Sequence, residues 1–179
     1  MNSIAKDRSW TRLAGRVVTA FAGIALASMV ATSAQAQATA TASAGASVTI
    51  ADPIAITKTA DLAFGTVVPS ASAGTVTVGT SNDRTVAGGV AALGGTVTSA
   101  AYTVTGYGNS AYTITLPASV SLSGPGTAMT ASSFVSSVGG SASLSSGTGG
   151  FSVGATLSVG ANQAAGAYSG TFDVTVAYN

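Results

Sequence analysis

Gly166–Asn179 reads GAYSGTFDVTVAYN. From Tyr168 onward Tyr168, Gly170, Phe172, Val174, Val176 and Tyr178 take alternate positions, with Ser169, Thr171, Asp173, Thr175 and Ala177 between them. A period of two puts the first set on one face of a strand and the second on the other. The stretch predicts a half-buried final β-strand. Tyr178 is still in phase at the penultimate position, so the sequence offers no later strand for its outer edge, and an unpaired edge is a template for another chain.

Ala161–Gly166 (ANQAAG), just upstream, reads as the turn that launches this strand. Before it, Phe151–Val159 (FSVGATLSV) presents Phe151, Val153, Leu157 and Val159, with Gly154 expected to form a bulge that resets the phase. Ser136–Gly150 is rich in Ser and Gly and reads as hairpins or a surface loop, and Phe134 anchors a weak segment. Val120 and Leu122 suggest a short strand. Ala101–Thr105 (AYTVT) and Ala111–Leu116 (AYTITL) alternate strongly, and Gly106–Ser110 between them reads as a hairpin loop.

Further upstream the pattern is interrupted by glycines. Gly88-Gly89 and Gly94-Gly95 break Thr85–Thr98 into short pieces, and Ser81–Arg84 carries the Asx chemistry of a turn. Gly74–Thr80 alternates through Val76 and Val78. In Asp61–Val68 (DLAFGTVV), Leu62 and Phe64 face one way before Gly65 permits a bulge, and Pro69 is expected to end the strand. A first strand is expected near Ser47–Lys58, interrupted at Asp52-Pro53. Eight to eleven short strands with regular turn signals and no helix after the leader predict an all-β fold, a β-sandwich with a barrel as the alternative.

Residues 1–36 differ in kind. Lys6, Arg8, Arg12 and Arg16 precede an apolar run, Val17–Ala31, and the small-residue site Ala34-Gln35-Ala36. That order predicts a helical signal peptide cleaved before Gln37. The apolar run is shorter than the roughly 20 residues that span a bilayer, and no other long apolar run follows, so no membrane span is expected in the mature chain.

Past the leader the only charges are Lys58 and Arg84 against Asp52, Asp61, Asp83 and Asp173. Two cations make no basic surface for nucleic acid. His, Cys, Glu and Trp are absent from this part of the chain, so no base exists to activate its many Ser and Thr residues. The reading is therefore non-enzymatic, with no cofactor and no metal. Glycines without Gly-Lys-Ser/Thr form no phosphate loop and are turn and bulge residues. The strand-phase tyrosines are expected to pack across strands; Tyr107, in a loop, is the one suited to contact another surface.

Gln37–Ile50 (QATATASAGASVTI) alternates without a break, with Ala38, Ala40, Ala42, Ala44, Ala46, Val48 and Ile50 on one face. It reads either as a low-complexity spacer or as an extended arm able to lie in another molecule's sheet as an added strand.

Three segments together carry a resemblance: Asp61–Gly65 (DLAFG), Tyr112–Pro117 (YTITLP), and Gly166–Phe172 (GAYSGTF) leading to Val174, Val176 and Tyr178. In this combination the chain resembles an exported bacterial family known as a domain of unknown function, DUF4402. That family is similar to spore coat U-type and chaperone-usher pilin subunits, which resemble an immunoglobulin fold lacking its last strand. Gly166 and Tyr178 match the Gly and penultimate Tyr with which such subunits end. The resemblance implies a pilin-like β-sandwich over 47–179, an N-terminal extension over 37–46, and assembly by donor-strand complementation into a cell-surface fibre. It makes Gly166, Tyr168, Phe172, Val174, Val176 and Tyr178 the acceptor groove, and Ala38 to Ile50 the donor. The implied partners are other copies or related subunits, a periplasmic chaperone and an outer-membrane usher. An Ala methyl buries less than the roughly 1.5–3 kcal/mol of a buried Val or Leu, leaving Val48, Ile50 or backbone pairing to supply the rest. A monomeric exported binding module for carbohydrate or another surface is the alternative function, and a small outer-membrane barrel a third.

Overall fold

The computed structural model describes residues 38–179. The expected signal peptide, residues 1–36, lies outside the described residues, as does Gln37. The chain separates into two units, Met1–Ala46 and Ser47–Asn179. In the first, Ala38–Ala46 is exposed and has no regular secondary structure.

The second unit is all-β. Its strands are β1 (Ala55–Ala60), β2 (Ala63–Val78), β3 (Arg84–Thr98), β4 (Ala100–Thr105), β5 (Ala111–Thr115), β6 (Ser119–Leu122), β7 (Met129–Ser136), β8 (Ser141–Ser143), β9 (Thr148–Val159) and β10 (Thr175–Tyr178). Every pairing is antiparallel. Seven strands form one sheet, in the order β1-β4-β9-β2-β3 with β7 also on β9 and β6 on β7; β10-β5-β8 form a second.

β9 is the hub because its alternation never lapses. Phe151, Val153, Ala155, Leu157 and Val159 are all buried, and both backbone edges are used. One edge takes β4 along Thr148–Val153 and then β2 along Ala155–Val159; the other takes β7. The expected bulge at Gly154 is corrected: the phase runs through it unchanged. Gly154 is where β4 gives way to β2, and a side chain there would strike the backbone of Val78 and Gly79.

Two apolar clusters result. In the first, Ala100, Tyr102, Val104, Phe151 and Val153 of the large sheet meet Tyr112 and Ile114 of the small one, with Leu144 between strands. Tyr102 stacks on its cross-strand partner Phe151 at 5.3 Å between ring centroids. The second cluster, Val76, Val90, Met129, Ala131, Leu157 and Val159, lies inside the large sheet where that sheet curls toward a barrel.

The β2–β3 ribbon is itself irregular, its register shifting at three places. Between Pro69 and Gly74 β2 spends extra residues against the Val90–Gly88 stretch of β3, which turns a corner. A Cβ on Gly89 would collide with the Ser72 carbonyl, so the corner closes only with glycine there. The corner lets Arg84, at the far end of the ribbon, reach back to its start. The guanidinium Nη1 donates to the carbonyl oxygens of Gly94 (2.9 Å), Phe64 (3.1 Å) and Thr66 (3.3 Å). Gly65, at φ 74°, leaves the room that Nη1 occupies. Asn82 ties the ribbon's tip to Ser99 in the same way, its Oδ1 accepting from the Ser99 amide at 2.7 Å and hydroxyl at 2.9 Å.

Several expectations are corrected by this topology. Ala101–Thr105 and Ala111–Leu116 are strands, β4 and β5, but not a hairpin: they belong to different sheets. Tyr102 and Val104 enter the first cluster from one side, Tyr112 and Ile114 from the other, so the Gly106–Ser110 loop arches over the core. Pro69 does not end a strand; it sits inside β2, where β2 has only one neighbour and a missing N–H costs nothing. The glycine-broken Thr85–Thr98 is one long strand. The first strand starts at Ala55, not near Ser47, and the Ser/Gly-rich stretch buries Leu144.

Replacing Arg84 by Ala is expected to cost about 2 kcal/mol of unfolding free energy, the scale of hydrogen bonds from a charged donor. Arg84→Lys should recover only part of it, because the shorter side chain does not carry its ammonium as far as the Nη1 position. Urea denaturation followed by far-UV circular dichroism measures both.

Candidate functional site

β2 is paired unequally along its length. Gly74–Val78 has β3 on one side and β9 on the other, whereas Ala63–Pro69 has β3 alone. The chain that continues β9 would fall beside Ala63–Pro69 if it kept its course. Instead it turns at Gly160–Asn162, where the Asn162 amide donates to the Ser70 carbonyl at 2.8 Å. It then crosses to the far side, where Ser169 and Ser123, just past β6, exchange two backbone hydrogen bonds of 2.9 Å.

The gap is a cavity of about 750 Å³. Ala63–Pro69 forms one wall and Gln163–Gly170 with Phe172 the other; Val120, Leu122, Met129, Ala131, Leu157 and Val159 form the floor. None of its lining residues is charged. It therefore offers apolar side chains below and an unpaired strand edge along one side.

The far wall is held rigidly. Tyr168 turns its ring over Gly124, and its hydroxyl is saturated. It accepts from Gln163 Nε2 at 2.8 Å and the Gly126 amide at 3.0 Å, and donates to the Ala164 carbonyl at 2.9 Å. Gly166, at φ 141°, passes so close to Pro125 that a Cβ would clash. Phe172 packs on Phe134 with ring centroids 4.8 Å apart; Phe134 touches both clusters and so marks the seam between them.

The six residues expected to share one groove are thus divided. Gly166, Tyr168 and Phe172 line the cavity, whereas Val174, Val176 and Tyr178 pack on the first cluster. The continuous strand expected over Tyr168–Tyr178 is corrected to β10, its last four residues, although Phe172, Val174, Val176 and Tyr178 keep their alternating half-burial. Tyr168 departs from the pattern because its hydroxyl network holds it against the Gly124–Gly126 turn. β10 pairs with β5, setting Val176 beside Ile114 and Tyr178 beside Tyr112. The Tyr178 hydroxyl donates to the Asp52 carbonyl at 2.9 Å and accepts from the Tyr107 amide at 2.7 Å, fixing the loop from which the 44% exposed Tyr107 side chain projects.

In the expected donor arm, Ala38, Ala40, Ala42, Ala44 and Ala46 are exposed within their own unit. Val48 and Ile50 belong to the second unit, outside any strand, and are 86% and 90% exposed. The wall Ala63–Pro69 was not among the residues expected from the sequence. Pro69 within an apolar run was the available signal, since proline in a strand marks an edge.

Titratable chemistry is sparse. Lys58 and Asp61 form an ion pair on the surface. Among the described residues no three of His, Cys, Asp and Glu gather closely enough to hold a metal. The Tyr102 phenol is pushed up from its ordinary pKa, first by burial and then by the negative charges of Asp61 and Asp173; burial alone raises Tyr112.

The described domain is thus an antiparallel all-β fold with an uncharged slot beside a strand segment paired on one edge only. Residues 54–178 match the family described as Domain of unknown function (DUF4402), and the chain belongs to that family. No curated protein and no solved structure matches it significantly.

The two raised tyrosines set the sign of an alkaline transition. In the unfolded chain they lose protons near pH 10, before the folded chain does, so the unfolded state is favoured as pH rises. Thermal melts should be level between pH 7 and 9, with no His to titrate, and fall from about pH 10 upward. Tyr102→Phe should flatten part of the fall.

Proposed function

We propose that this protein is an exported, non-enzymatic structural subunit of a fimbria-like cell-surface fibre, assembled by strand donation. The observation that carries this reading is the slot, which combines a free backbone edge with an apolar floor. A lipid or a sugar satisfies only one of these features, whereas an extended peptide with alternating apolar side chains satisfies both. Gln37–Ile50 has that pattern. Each copy has one arm and one slot, so the contact is heterologous and propagates into a fibre when the rotation between copies does not close a ring. The immunoglobulin-like, pilin-type description of the two sheets belongs to the same proposal, as do the signal peptide, a periplasmic chaperone that covers the slot before assembly, and an outer-membrane usher.

Residues 37–50 precede β1, so their removal leaves every strand in place. Mature protein lacking them is expected to stay monomeric by size-exclusion chromatography and to form no fibres under the electron microscope, while the intact mature chain forms them. Fibres of unchanged length from the shortened chain would sink the arm assignment.

A monomeric binding module is the second reading, favoured by the projecting side chain of Tyr107. On that reading the mature chain stays monomeric at high concentration, and Tyr107→Ala abolishes its retention on a carbohydrate array.

A further inference from the structure

The strands around the cavity form a ring with one member missing. From β2 the backbone pairing runs through β9 to β7, from β7 to β6, and from the end of β6 through Ser123 to Ser169. Between the Ser169 segment and Ala63–Pro69 of β2 the ring is interrupted by the cavity. A single added strand there would pair with the free edge of β2, cover the second cluster and close the sheet into a barrel, which removes the edge altogether.

We infer that the strand accepted in assembly lies between Ala63–Pro69 and Gln163–Phe172 and not along β10, and that its occupant is the Ser47–Ile50 end of the arm from a second copy. This rests on the strand-donation reading above and names the position and the occupant. Val48 and Ile50 sit two apart on one face, and Ser47–Ile50 carries no charge, matching a slot that has none. In its own molecule the segment is solvent-exposed and its own slot is empty of it. Chain length favours a second molecule. Ala51–Ile54 spans about 17 Å at full stretch from Ile50 to Ala55, and β1 is about as long. An arm folded back along β1 therefore brings Ile50 only to the near end of the slot. In another copy, Val48 and Ile50 descend onto Leu122, Met129, Leu157 and Val159, while backbone groups pair with β2. Pro69, without an N–H, marks where that pairing stops.

The cysteine-free chain makes the test clean. Full mature chains carrying Ile50→Cys with Val67→Cys, and separately Ile50→Cys with Thr66→Cys, are checked for folding by circular dichroism, assembled and mildly oxidised. Ile50→Cys with Val176→Cys, on β10, is the comparison. The expected result is a reducible ladder of covalent multimers from at least one β2 pair and none from the β10 pair. A ladder from the β10 pair alone, or fibres without a ladder from either β2 pair, overturns the slot while leaving strand donation standing. If intact mature chain forms no fibres at any concentration, strand donation itself falls, and the slot assignment with it.

Discussion

In an all-β domain every backbone N–H and C=O along a strand edge must find a partner, meet water, or be covered. That demand organises this protein around β9. This strand has partners on both edges over Val153–Ser158, and by changing from β4 to β2 at Gly154 it joins two groups of strands that otherwise share no pairing. The demand is met on both edges along the second half of β9 and only half met along β2. The half that lacks a second neighbour borders the cavity, contains the proline, and receives the Arg84 guanidinium at its bulge.

Charge contributes little to this arrangement. The ion pair between Lys58 and Asp61 is solvent-exposed, of the kind worth at most about 1 kcal/mol. Arg84 is different because its partners are carbonyl oxygens, so it acts as a multidentate hydrogen-bond donor that holds a corner shut. The absence of cysteine places the remaining burden on burial. Small residues meet it by letting strands come close: Ala100 and Ala131 in the two clusters, and Ala155 on β9, are almost fully buried. Phe134 and Phe172 then lock the clusters to each other, so the cavity wall and the first core are mechanically connected.

Alternation in the sequence was enough to locate most strands and their buried faces. Tyr102, Val104, Tyr112 and Ile114 all point inward as their spacing requires. Periodicity says which face of a strand is apolar but not which strand lies beside it, and for that reason β4 and β5 read as a hairpin when they oppose each other across a core. Glycine misled in another way. In β3 it permits a corner and close backbone approach within one long strand, whereas in the sequence the same residues look like breaks. Of the candidate site, Gly166, Tyr168 and Phe172 were legible from the closing pattern. The opposite wall was not, because a free edge is a property of what is missing next to a strand, and Ala63–Pro69 carries no mark of it except Pro69.

The place of β9 along the chain has a kinetic side. β1 and β4, β2 and β3, and β6 and β7 can pair soon after they are made, but the strand that joins these pairs into one sheet begins only at Thr148. Loops that long must be closed before the reward of pairing arrives, and folds dominated by distant contacts form slowly. Until residue 148 has emerged the chain is a set of separate ribbons with open edges. A protein arranged in this way joins its ribbons into one sheet only once β9 has been made.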